Sequence, residues 1–161
     1  MNGAQWLVRT LQNRGVEHVF VLSGNGLFPF LDAFIEADIQ VLDVRNEQAA
    51  AYMADAWGAM TGRPGVVIVS SGPGHTNTLT GVANAWWDGR PLALISGCSP
   101  QAGDGADTFQ ELDQVGMVQP VCKYAAKVHH VEALPQQVQT ALELAVRSEE
   151  RRVGKECMPV C

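Results

Sequence analysis

The chain is short of positive charge. Eleven Lys and Arg stand against seventeen Asp and Glu, a net charge of -6. That excludes a general nucleic-acid binder, which neutralises phosphates with clustered Lys and Arg. No apolar run approaches the roughly 20 residues that span a bilayer, so no membrane segment is expected. The start, Met1-Asn2-Gly3-Ala4-Gln5, has no basic region ahead of an apolar core, so no secretory signal is read there. The four cysteines, Cys98, Cys122, Cys157 and Cys161, are sparse and unevenly spaced. Neither a disulfide framework nor a paired zinc motif fits them, and reduced thiols in a cytoplasmic protein are the expectation. His129-His130 and Cys122 likewise offer no convincing ligand set, and no metal site is expected. What remains is 161 residues, 47% hydrophobic and 17% charged: one ordinary domain with a sizeable core.

The apolar pattern alternates between two periods. Ala4, Leu7, Val8 and Leu11 follow helical spacing, with Gly15 as a stop. His18 to Leu22 reads as a short buried strand, and Ser23-Gly24-Asn25-Gly26 turns the chain into a helix opened by Pro29. Ile39–Val44 is a second strand. A helix from Glu47 to about Thr61 is capped by Gly62, and Val66–Val69 is a third strand. A helix over roughly His75–Trp87, a strand Pro91–Ser96, a possible fifth strand Val121–Val128 and a last helix from Leu134-Pro135 complete the pass. Strands alternating with helices predict an α/β domain with an open, mostly parallel sheet covered by helices on both faces. Ligands of such sheets bind beyond the carboxyl ends of the strands. Those ends carry Ser23-Gly24, Glu47, Ser70-Ser71-Gly72-Pro73-Gly74 and Ser96-Gly97.

Glu47 is the leading catalytic candidate. It heads a helix that is otherwise small and apolar and lies toward a glycine turn, which suits a carboxylate kept only partly hydrated; such burial raises a carboxyl pKa. A first-turn acid that complements the helix dipole is the plainer alternative. Gly24-Asn25-Gly26 begins like a dinucleotide fingerprint with Asp43 near the ribose-acid position, but Pro29 stands where close helix–strand packing wants Gly or Ala.

Val19–Gly24, Arg45–Ala54, Ser70–Asn77, Asp88–Gly97 and Phe109–Gln114 occur in that order. Together they resemble the N-terminal, pyrimidine-binding domain of thiamine-diphosphate enzymes of the acetolactate synthase, benzaldehyde lyase and oxalyl-CoA decarboxylase type. The likeness runs from Met1 to about Val146, and residues 1–147 are taken as that domain. The resemblance implies that Glu47 bonds a ring nitrogen of the cofactor's aminopyrimidine and so activates the thiazolium carbon. It implies that Ser70, Gly72, Pro73 and Asn77 line the cofactor pocket. Ser23, Gly24, His75, Phe109 and Gln110 fall on the substrate side. His75 and the Ser23–Gly26 turn depart from the acetolactate synthase pattern, which leaves substrate choice open.

The resemblance also implies thiamine diphosphate with Mg2+, whose ligands are not expected in this chain. Gly103-Asp104-Gly105 is a loop, because it precedes Phe109-Gln110 and no Asn follows Asn84. The diphosphate-binding domain is expected from another chain, in a homo-oligomer. The reaction implied is carboligation or decarboxylation of 2-oxo acids, with the isolated chain inactive. Ser148–Cys161 departs from the family pattern and reads as a foreign tail on a truncated frame. The alternatives are the small subunit of a split sulfopyruvate- or phosphonopyruvate-type decarboxylase, a nicotinamide-dependent dehydrogenase domain, and a non-catalytic pairing module using Ala50, Ala54 and Trp57.

Overall fold

The computed structural model describes residues 1–103 and 105–147. The expected tail 148–161 and Asp104 lie outside the described residues. Among the described residues six α-helices and four strands follow in the order α1 (Gly3–Asn13), β1 (His18–Val21), α2 (Phe28–Glu36), β2 (Gln40–Asp43), α3 (Glu47–Thr61), β3 (Gly65–Val69), α4 (Pro73–Asp88), β4 (Leu92–Ser96), α5 (Gln114–Val118) and α6 (Leu134–Val146). All strand pairs are parallel, in the order β2-β1-β3-β4.

The inner strands read as they fold. Val19, Phe20 and Val21 of β1 and Val66 to Val69 of β3 are all buried. Covering both faces of such strands contributes roughly 1.5–3 kcal/mol per large apolar side chain. On one face Leu7, Leu11, Phe34, Val138 and Leu142 pack against Val19, Val21, Val66 and Ile68. On the other, Ala50, Ala51 and Ala54 of α3 pack against Phe20, Val67 and Val69. β2 is one of the two edge strands, with β4 the other, and its Gln40 and Asp43 are exposed. The α/β architecture is the one the alternating pattern predicts.

Local chemistry sets the helix ends. The Asn46 side chain accepts from Gln48 N–H at 2.8 Å and starts α3 at Glu47; Gly62, in the left-handed region at φ 67°, ends it. Pro73 opens α4 at the first-turn position, where no donor is lost.

Two expectations fail. Val121–Val128 forms no strand: a 3-10 turn over Gln119–Val121 leads into irregular chain. An apolar-lined cavity of about 1370 Å³ separates this stretch from β4. Apolar residues alone do not make a strand; backbone donors need a neighbouring strand within bonding distance. Lys123 instead anchors the stretch to the end of α6, donating to the carbonyls of Leu144 (3.1 Å) and Arg147. The small-residue face Ala50, Ala54 and Trp57 is not a free surface either. Both alanines are fully buried against the domain's own sheet, and Trp57 packs on His18 (ring centroids 4.7 Å apart) and Phe20 (6.5 Å).

Candidate cofactor site at the sheet edge

Topology locates the site. From β1 the chain crosses to β2 on one side; from β3 it crosses to β4 on the other. The loops leaving β1 and β3 therefore diverge and open a crevice between them, the general ligand position in open parallel sheets. Ser23-Gly24 and Ser70-Ser71-Gly72 form its walls. They are in close contact: a Cβ on Gly24 would lie 2.7 Å from the Ser70 Cβ.

Glu47 reaches this crevice from the first turn of α3. It is half-buried, in keeping with partial hydration. Asn77 Nδ2 donates to Glu47 Oε2 at 2.9 Å. Glu47 Oε1 turns toward Gly74, where a Cβ would lie 3.5 Å from it and 2.6 Å from Ser70 Oγ. The absent side chain at position 74 thus lets the start of α4 close onto Ser70, where a Cβ would clash, and onto the Glu47 carboxyl group. Asn77 lies one helical turn beyond Pro73, so both stand on one side of α4. Ser70, Gly72, Pro73, Asn77 and Glu47 lie at the same edge of the sheet, on β3's exit turn and the starts of α3 and α4.

The substrate-side candidates divide. Gln110 comes to the glycine turn: its Oε1 accepts from Ser71 Oγ at 3.0 Å, and its Cβ sits 2.8 Å from where a Gly72 Cβ would be. Phe109 projects from the same loop, 74% exposed. His75 is only 4% exposed and turns inward to the end of β4, its Nδ1 2.9 Å from Ser96 Oγ. Burial holds the His75 pKa below 6.5, with the Gln114 backbone opposing in part. Ser23 is exposed at the crevice mouth.

Sequence reasoning quoted Gln114 within a motif but gave it no role. Its carboxamide bonds three groups of the site: Oε1 accepts from Gly72 N–H at 3.0 Å, and Nε2 donates to Gly97 O at 2.8 Å and Ser96 Oγ at 3.0 Å. A lone glutamine in a short helix gives no sequence signal of this. The Asn77–Glu47 bond was missed as well, although the first-turn position of Glu47 was legible.

A profile of the family described as thiamine pyrophosphate enzyme, N-terminal TPP binding domain, matches residues 1–117. The chain belongs to this family. Curated relatives extend the likeness. It is 42% identical over 146 residues to acetolactate synthase isozyme 3 large subunit of Escherichia coli (strain K12), covering 90% of this chain and 25% of that protein. It is 39% identical over 136 residues to acetolactate synthase large subunit of Buchnera aphidicola subsp. Schizaphis graminum, covering 84% and 24%. Probable acetolactate synthase large subunit of Methanocaldococcus jannaschii is 36% identical over 145 residues, covering 90% and 24%. The chain therefore spans about a quarter of the length of the relatives it matches.

Glu47 and its partner Asn77 place a carboxyl group and an amide side by side at the crevice. Among the described residues no group of three or more His, Cys, Asp or Glu could hold a metal ion. No helix among them is long and apolar enough to cross a membrane.

Proposed function

We propose that this chain is the pyrimidine-binding part of a thiamine-diphosphate-dependent carboligase or decarboxylase acting on 2-oxo acids, with Glu47 as its catalytic acid. The observation that carries the reading is the half-buried Glu47 carboxyl group at the head of α3, bonded to Asn77 of α4. When bound, thiamine diphosphate supplies an acidic thiazolium carbon and an electron sink. The residues of this chain bind and orient. Glu47 holds a proton against a ring nitrogen; Asn77 keeps the carboxylate aimed; Ser70, Gly72 and Pro73 shape the floor. Ser23, Gly24, Phe109 and Gln110 stand on the substrate side, with His75 behind them. Mg2+ and the diphosphate belong with a diphosphate-binding domain supplied by another chain in a cytoplasmic homo-oligomer, and this chain alone is inactive.

The test is Glu47→Gln in the full-length enzyme carrying this domain. Glutamine keeps the shape and cannot donate or take up that proton. Exchange of the thiazolium proton, followed by NMR, is expected to slow on the order of 10²–10⁴-fold. A wild-type exchange rate rejects the role of Glu47.

A further inference from the structure

The loop bearing Phe109 and Gln110 rests directly on the turn that opens α4. Gly72 stands at φ 59°, and a Cβ there would meet the Gln110 Cβ and carbonyl at 2.8 Å, so the two backbones are in contact. Gln110 itself adopts the left-handed region at φ 61°, which a non-glycine residue keeps only where its surroundings enforce it. Two side-chain amides tie the layers together. One is that of Gln110, accepting from Ser71 Oγ; the other is that of Gln114.

The orientation of the Gln114 amide is fixed by backbone groups of known polarity. Gly72 N–H can only donate, so it faces Oε1; the Gly97 carbonyl can only accept, so it faces Nε2. The second Nε2 hydrogen goes to Ser96 Oγ, which also lies 2.9 Å from His75 Nδ1. One carboxamide thereby joins the start of α4, the end of β4 and, through Ser96, the buried imidazole. α5 is anchored in turn by Asp113, which accepts from Gly116 N–H at 2.9 Å. On the far side of Gln110, Glu111 accepts from Gly105 N–H, Thr108 N–H and Thr108 Oγ1 and so folds the loop on itself.

We infer that Gln114 is a positioning residue: it clamps the Phe109–Gln110 loop onto the Gly72 turn and thereby sets the substrate side of the site independently of Glu47. The inference rests on the reading in the preceding subsection. The independence follows from the packing. The Glu47–Asn77 bond links α3 to α4, two helices packed along their length, and does not pass through Gln114. Loss of the clamp therefore loosens the loop and spares cofactor activation.

Gln114→Met keeps length and volume and removes all three bonds. In the 161-residue chain, NMR hydrogen exchange at the Gly72 amide is expected to accelerate at least about tenfold, while amides of β3 keep their rates. In the full-length enzyme the KM for the 2-oxo acid is expected to rise about tenfold, with thiazolium proton exchange at the wild-type rate. Gln114→Glu retains the acceptor for Gly72 N–H and is expected to restore slow exchange there without restoring KM, because it cannot donate to Gly97 O. Unchanged Gly72 exchange in Gln114→Met, or thiazolium exchange falling in step with turnover, overturns the inference. A failure of Glu47→Gln to slow thiazolium exchange strikes the proposed function instead and leaves the Gly72 result standing.

Discussion

The two halves of the sheet are built differently. On the α3–α4 side the layers touch backbone to backbone. A Cβ on Gly58 would lie 2.3 Å from the Pro91 carbonyl oxygen, and one on Gly81 2.5 Å from the Ala51 Cβ. Beneath them Asp55, 3% exposed, accepts from Asn84 at 2.8 Å and pairs with Arg90 at 2.9 Å. Beyond β4 no α-helix or strand forms among the described residues between Gly97 and Asp113, nor from Cys122 to His130, around a large apolar-lined cavity. The comparison shows where a side chain is held rigidly. Glu47 and Asn77 stand on the closely packed half, while Phe109 and Gln110 hang from a loop held by a few side-chain bonds.

Several variants break or sharpen this contrast. The largest effect falls on chemistry: Glu47→Gln slows thiazolium proton exchange by orders of magnitude and leaves the melting temperature nearly unchanged, since the residue is half-buried at a helix start. Next comes the packed half itself. Arg90→Met leaves the Asp55 carboxylate buried without its cation and is expected to cost about 2 kcal/mol in chemical denaturation. The figure lies below that of a fully buried pair because the guanidinium is 37% exposed and Asn84 still donates. Gly81→Val forces a branched side chain into the α3–α4 contact and is expected to cost a similar amount, about 2 kcal/mol.

The same operation on the other half reverses sign. Ala141→Leu adds apolar bulk at the cavity wall and is expected to stabilise by about 0.5 kcal/mol or leave stability unchanged. A cost as large as that of Gly81→Val would show that the two halves are equally tight.

The smallest effect is a slope. Burial lowers the His75 pKa below its unfolded value of 6.5. The unfolded chain therefore binds the proton first, and stability falls as pH drops from about 6.5 toward the folded value. His75→Gln keeps a polar partner for Ser96 and removes that proton, so unfolding followed between pH 7 and 5 is expected to show a flatter acid limb. An acid limb as steep as in the parent chain would place the titration elsewhere.

Legibility divides along the same line. Helix α3 is read to within a residue because Asn46 and Gly62 punctuate it and its neighbours are local. The inner strands are legible because they are continuously apolar. Val121–Val128 was misread because strand formation depends on a partner distant in sequence, and β4 stands across a cavity from it. Glu47 was legible because its position at the head of an apolar helix is a local property. Its bond to Asn77, and Gln114 as a clamp, were not, since both join residues tens of positions apart.

Sequence alone thus determined the alternation of strand and helix, the parallel sheet, the glycine turns at its carboxyl edge and the acid among them. All of these follow from side-chain period and backbone preference over a few residues. Tertiary structure decided which hydrogen bonds aim that acid, which amide joins the substrate loop to the turn, and where the sheet stops. Those depend on distances between segments that only packing sets.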